Sequence, residues 1–256
     1  MSTRIQLVTR GDDAGSCQSA NRAIGQACDS GTLRNVSVMA PGPSFESAAK
    51  LFARRNDVCF GLHITLNSEW EKVKWGPVLP AQEVPSLVDE NGHFWPTPMI
   101  LHERGFNPDE AMAEIEAQLR RAREAGLHLS YLDEHMGVSW TGRLRERVRV
   151  LAEREGLIDV YAISGLPSAA DTDGSLLQRW QMQLHNAPPG TYVLVTHPGR
   201  DEEDMRQMYM NGMQPGAVAR ERDAERRALC DPKFQQICRD NDVQLVRYDE
   251  VAALSQ

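Results

Sequence analysis

Short apolar runs that each stop at polar chemistry, with helical periodicity between them, constrain this chain more than any other feature. Ile5-Gln6-Leu7-Val8-Thr9 reads as a buried strand, and a helical pattern follows from about Cys17 to Asp29. Asn35-Val36-Ser37-Val38-Met39 is a second strand, ended by Pro41-Gly42-Pro43. A helix from about Ser44 to Arg54 places Phe45, Ala48, Ala49, Leu51 and Phe52 on one face. Val58 to Leu66 is a third strand. Nearly continuous apolar strands alternating with helices imply a parallel sheet covered by helices.

Residues 67–108 break that rhythm. Six prolines (Pro77, Pro80, Pro85, Pro96, Pro98, Pro108) accompany Trp70, Trp75, Phe94 and Trp95. The aromatic content argues against disorder, so the segment reads as an ordered insertion lying over one end of the sheet. Helical periodicity resumes at Pro108 and stops at Gly126. His128 to Asp133 gives a fourth strand ending in Glu134-His135, and 142–155 an arginine-rich helix with a solvated face. Leu157 to Ile163 suggests a further strand. Tyr192 to Thr196 is a clear strand that delivers His197-Pro198-Gly199, and 200–218 reads as a polar loop. Helices over about 217–229 and 232–240 precede a last strand, Val243 to Val246, and a short terminal helix from Tyr248 to Leu254. No repeat or linker divides the 256 residues, which are expected to form a single domain.

Composition excludes several classes. A net charge of −8 is unsuited to nucleic acid as a main partner. No apolar run reaches the roughly 18 residues of a membrane span. The N-terminal residues enter the first strand without an apolar leader. Five cysteines without a C-x-x-C pair read as reduced thiols. A cytoplasmic protein is expected.

Asp12 and Asp13 fall where the first strand gives way to the first helix. Such strand ends form the ligand-binding mouth of parallel α/β folds. Taken alone, Asp13 or Ser16 serves equally well as a helix N-cap. Three of the seven histidines change that balance: His63, His135 and His197 lie at the ends of other strands. His93 sits in a turn, and His102, His128 and His185 lack other polar chemistry nearby. Two histidines and one carboxylate form a catalytic zinc set, and equally a non-haem iron triad. A second aspartate and a third histidine fit a hydrolase better, because hydrolysis needs a base for water and an acid for the leaving group.

On Asp12-Asp13-Ala14-Gly15 with Asn21, Gly61-Leu62-His63-Ile64-Thr65-Leu66, Leu132-Asp133-Glu134-His135, Thr196-His197-Pro198-Gly199 and the pattern from Arg222 to Asp249, the chain resembles the YdjC-like carbohydrate deacetylases (the ChbG/HpnK group), relatives of the NodB-type polysaccharide deacetylases. The motifs span nearly the whole chain in order. The resemblance implies a distorted, TIM-barrel-like (β/α) barrel. It implies one divalent metal, zinc or magnesium, on Asp13, His63 and His135, with Asp12 as base and His197 as acid. The implied reaction removes an N-acetyl group from an amino sugar or small oligosaccharide, and the relatives suggest a dimer. Asp133 is placed to orient a histidine ring from behind.

The chain departs from the family at Ala14 and around His135. Ala14 stands for Phe, and around His135 the usual His-Leu-Asp-Ser-His-Gln-His becomes Tyr131, Leu132, Asp133, Glu134, His135, Met136 and Gly137. These changes leave open another amide or ester as substrate, or a carbohydrate-binding relative without activity. Trp75, Trp95 and Trp140 are expected as apolar platforms for a sugar. Arg226 is read as part of a solvated helix face.

Overall fold

Eight parallel strands form one curled sheet in the computed structural model, which describes residues 4–140, 144–168 and 174–251. The first strand, β1 (Ile5–Ala14), is the longest and lies near the middle. On one side follow β2 (Asn35–Val38), β3 (Cys59–Ile64), β4 (Leu129–Glu134) and β5 (Ile158–Asp159); on the other, β7 (Gly190–Thr196) and β6 (Ser164–Gly165). The last strand, β8 (Val243–Val246), pairs with residues 5–8 of β1, below the point where β2 pairs with residues 10–14. Asn35 closes that junction. Its amide donates to Thr9 O and Val246 O, and its Oδ1 accepts from Tyr248 N.

The curl gives the distorted barrel that the family resemblance implies, open along one side. Among the described residues β5 and β6 do not pair with each other. The single strand expected over Leu157 to Ile163 is cut short: β5 covers two residues, a 3-10 turn follows at Val160–Ala162, and β6 begins just past the expected end. Asp159 causes the break, because its side chain accepts from Tyr161 N at 3.2 Å and folds the backbone into an Asx-type turn.

Nine helices are described. Helix α1 (Gln18–Asp29) is capped by Cys17, whose sulfur accepts from Ala20 N, so neither Asp13 nor Ser16 serves as the cap. Helices α2 (Phe45–Phe52), α4 (Pro108–Glu124), α5 (Leu144–Glu155), α8 (Ala217–Cys230) and α9 (Pro232–Asp240) fall close to their sequence-predicted spans, and a short α3 (Pro98–Arg104) lies in the insertion. Two elements depart from expectation. Helix α6 (Leu176–Asn186) forms in the segment read as irregular, started by a capping box between Ser175 and Gln178. It is held by burial of Trp180 against Phe234, rings 5.1 Å apart. Helix α7 (Glu203–Arg206) interrupts the loop expected over 200–218. Of the expected terminal helix, Tyr248–Glu250 is a 3-10 turn, Val251 is non-helical, and 252–254 lie outside the described residues.

Two apolar cores result among the described residues. The large one lies between sheet and helices. The small one fills the barrel floor with Val8, Cys59, Tyr131, Val160, Val246, Tyr248 and Val251. Its tyrosine rings pack tilted at 51° with centroids 4.5 Å apart. This floor lifts the polar residues next along β1, β3 and β4 to the open end of the sheet.

Candidate active site

Both aspartates belong to β1, which runs on past the expected end at Thr9. The pairing register with β2 shifts between Gly11 and Ala14, and Asp13 takes a left-handed backbone with φ 65°. Asp tolerates that region better than most residues. The irregularity turns two neighbouring carboxylates to the same mouth instead of to opposite faces. Behind it Gly15 (φ 100°) is obligatory, since a Cβ there would stand 2.8 Å from Met39 O. Asn21 Oδ1 accepts from Gly15 N at 2.7 Å and ties the turn to α1.

His63 and Asp133 are register partners on β3 and β4, so their side chains leave the sheet side by side. His63 Nδ1 lies 3.1 Å from Asp133 Oδ1, and Ser37 Oγ donates to Asp133 Oδ2 at 2.8 Å. His135 follows β4 directly. The chain then kinks through Met136 (φ 52°) and Gly137 (φ 65°), and Glu134 clasps the turn by accepting from Ser139 N and Ser139 Oγ. His197 follows β7, and Glu225 on α8 accepts its backbone N–H.

Arg10, Asp12, Asp13, His63, His135, His197 and Arg222 line one cavity of about 390 Å³. Asp13 Oδ1 lies 3.2 Å from His135 Nδ1 and 3.5 Å from His63 Nε2, all three side chains buried. The three donors fall within 4.8 Å of one another. Asp13 Oδ1 is nevertheless without a hydrogen bond. A buried carboxylate oxygen costs free energy when left unpartnered, and two nitrogens and an oxygen at this spacing suit a divalent cation. The residues therefore fit a metal ion.

Electrostatics point the same way. Burial raises the Asp13 carboxyl, but Arg222 and His135 outweigh it and hold the group well below its ordinary range. Burial lowers the His135 imidazole, but Glu69 and Asp13 push it up to about 9. Burial likewise opposes His63, and Asp133 and Asp12 raise it well above the usual imidazole range. A cation among these carboxylates competes with the same protons. Asp12 is treated differently. Burial raises it, but Arg10 and then His63 bring it below its ordinary value. Arg10 grips it at both oxygens, at 2.6 and 2.8 Å.

Three residues in this wall escaped the sequence analysis. Arg10 sits two places before Asp12, a spacing that shares a strand face. Arg222 reaches Asp13 Oδ2 at 2.7 Å from α8, whereas neighbouring Arg226, expected on a solvated helix face, is half-buried and pairs with the buried Asp223. Glu69, from the insertion, reaches His135 Nε2 at 2.9 Å. No local signal marks Arg222 or Glu69, because both arrive from distant elements.

The tryptophans divide. Trp75 is buried, its ring centroid 6.1 Å from that of His135 and its Nε1 donating to Asn67 O. Trp95 carries Arg104 over its ring at 4.2 Å. Trp140 is 66% exposed, edge-on to Tyr161. None of the three lines the cavity; Trp70 does, with the Arg222 guanidinium 5.5 Å from its ring centre. Of the family departures, Tyr131 is buried in the floor with its hydroxyl 2.9 Å from Ser37 Oγ, whereas Glu134 and Gly137 line the cavity. Among the described residues no helix is long and apolar enough to cross a membrane.

A family model described as YdjC-like protein matches residues 6–240. A protein of Thermoanaerobacter pseudethanolicus named carbohydrate deacetylase is 24% identical, over 94% of this chain and 97% of its own. One of the same name from Brevibacillus brevis is also 24% identical, over 96% of this chain and 100% of its own. A solved structure from Enterococcus faecalis, described as a candidate cellobiose-phosphate cleavage protein, shares the fold. Its TM-score is 0.78 at 20% identity, covering 96% of this chain and 98% of that one.

Proposed function

This chain belongs to the YdjC-like family, and from that membership we propose that it is a metal-dependent hydrolase that removes the N-acetyl group from an acetylated amino sugar or small oligosaccharide. Full-length relatives named carbohydrate deacetylase support the reaction class. The observation that carries the metal is the unpartnered Asp13 Oδ1 between two imidazole nitrogens. The reading treats the chain as one domain whose insertion, 67–108, covers the active-site end.

In this reading Asp13, His63 and His135 would hold one divalent ion, zinc or magnesium, which when bound would supply polarisation of the amide carbonyl and a lowered pKa for water. Asp12, fixed and kept ionised by Arg10, accepts the proton of the attacking water. His197 gives a proton to the leaving nitrogen as the C–N bond breaks, so acetate and a free amine depart. Asp133 holds the far nitrogen of His63. Trp70 takes the role of apolar platform inside the cavity, and Trp140 stands outside it, within reach of a longer substrate only.

Glu134 and Gly137 favour one rival, since both departures line the cavity and alter what it accepts. That rival is another amide or ester as substrate. Acetate release from a panel of N-acetylated sugars, run beside other amides and esters with and without a chelator, separates the two. Turnover of another class with no acetate from any sugar would overturn the deacetylase reading. Turnover unaffected by chelation would remove the metal, and failure to turn over anything would leave a binding protein.

A further inference from the structure

Each imidazole of the candidate metal site touches two carboxylates, one at each ring nitrogen. His63 turns Nε2 to Asp13 Oδ1 at 3.5 Å and Nδ1 to Asp133 Oδ1 at 3.1 Å. His135 has the opposite orientation, with Nδ1 toward Asp13 Oδ1 at 3.2 Å and Nε2 toward Glu69 Oε2 at 2.9 Å. A neutral imidazole carries its proton on one nitrogen and a lone pair on the other. An acceptor at one nitrogen keeps the proton there and turns the lone pair to the opposite side. Both lone pairs are thereby aimed at the neighbourhood of Asp13 Oδ1.

We propose that Glu69 is a positioning residue of the metal centre, setting the tautomer and ring angle of His135 as Asp133 does for His63. The inference rests on the metal-site reading above. Asp133 is the register partner of His63 within the sheet, whereas Glu69 comes from the insertion and needs its own scaffold. That scaffold is present. Glu69 is 6% exposed, and Asn67 Nδ2 donates to its Oε2 at 3.3 Å. Asn67 O accepts from Trp75 Nε1 at 2.7 Å, and Ser68 Oγ accepts from Trp75 N at 3.1 Å. Ser68 N donates to Trp95 O at 2.9 Å, anchoring the segment to the far end of the insertion. The Trp75 ring stands against His135, so one tryptophan supports both members of the pair. The insertion thus supplies part of the metal centre as well as its cover.

The test is zinc affinity of the full chain, stripped with a chelator and titrated by calorimetry, for wild type, Glu69→Ala, Glu69→Gln and Asp13→Asn. Losing the outer partner of a ligating histidine typically weakens metal binding about 10- to 100-fold. Glu69→Ala is expected near the upper end. Glu69→Gln, which keeps an acceptor oxygen without the charge, is expected near the lower end and serves alone if the alanine variant does not fold. Wild-type affinity in a folded Glu69 variant overturns the inference, and so does a lowered melting temperature of the stripped protein with affinity unchanged. If the wild type binds no zinc, or binds it no better than Asp13→Asn, the metal-site reading itself has failed.

Discussion

Arg10 and Asp12 stand two residues apart on β1, so their side chains leave the same face of the strand and meet as a two-pronged ion pair. The same Arg10 Nε lies 3.1 Å from Asp133, and Nη1 donates to the Tyr248 hydroxyl at 3.3 Å. Asp13 is supported instead from α8, by Arg222. Two adjacent carboxylates thus have two separate cations, which lets one oxygen of Asp13 stay free while Asp12 remains ionised.

Arg10→Met leaves the buried carboxylates of Asp12 and Asp133 without their cation. Breaking a buried pair from one side costs about 3–5 kcal/mol. Chemical denaturation is expected to report a loss of that size. A loss below about 1 kcal/mol, the size of a surface pair, would mean that Arg10 is not what holds these charges.

The proposed division between the aspartates predicts different defects. Asp12→Asn is expected to bind zinc as the wild type does while kcat falls about 100- to 10,000-fold, the usual contribution of a general base. Asp13→Asn is expected to lose the metal itself. Calorimetry and steady-state kinetics on both variants check this, and equal zinc affinity in the two would overturn the assignment.

Glu225 accepts the backbone N–H of His197, and burial raises its carboxyl above the ordinary range despite the nearby charges of His197 and Arg222. A raised folded value means that the group's stabilising contribution is fully present below the unfolded value, near about 4.3. It is lost as pH rises through the folded value, so the buried anion opposes folding at neutral pH. Glu225→Gln keeps an acceptor for His197 and removes the charge. Its melting temperature should equal or exceed that of the wild type at neutral pH, and the difference should close near about pH 4. A variant destabilised to the same degree at both pH values would contradict this.

Gly61 lies against the Tyr131 ring, and a Cβ there would come within 2.1 Å of it. Gly61→Ala is expected to cost about 1–3 kcal/mol or more by overpacking. Tyr131→Phe removes only the hydroxyl beside Ser37 and is expected to cost about 0.5–1.5 kcal/mol. Thermal denaturation of both orders them. A tolerated alanine would show that the floor can repack.

The regular parts of this architecture are legible because their signals are local. Continuous apolar runs mark β1 to β4, β7 and β8, and Gly126 and Asp231-Pro232 mark helix ends. Where a side chain competes with the backbone, pattern reading fails: Asp159 cuts short a predicted strand, and Ser175 with Gln178 starts a helix in a stretch that looks irregular. The helix cap shows the same limit from the other side. Asp13 and Ser16 are both better cap formers than Cys17, yet β1 carries Asp13 into the sheet and leaves the cap to the sulfur.

The parallel α/β layering and the five polar residues at strand ends, Asp12, Asp13, His63, His135 and His197, are legible in consecutive residues, because strand periodicity and strand termini are local. What surrounds them follows from packing. Arg222 lies 209 residues from Asp13, and Glu69 lies 66 from His135. Their pairing depends on how α8 and the insertion pack against the sheet. The same holds for the tryptophans, where Trp70 faces the cavity and Trp75 turns away to brace His135. Residue type records that a ring is apolar, but its direction is set by the fold.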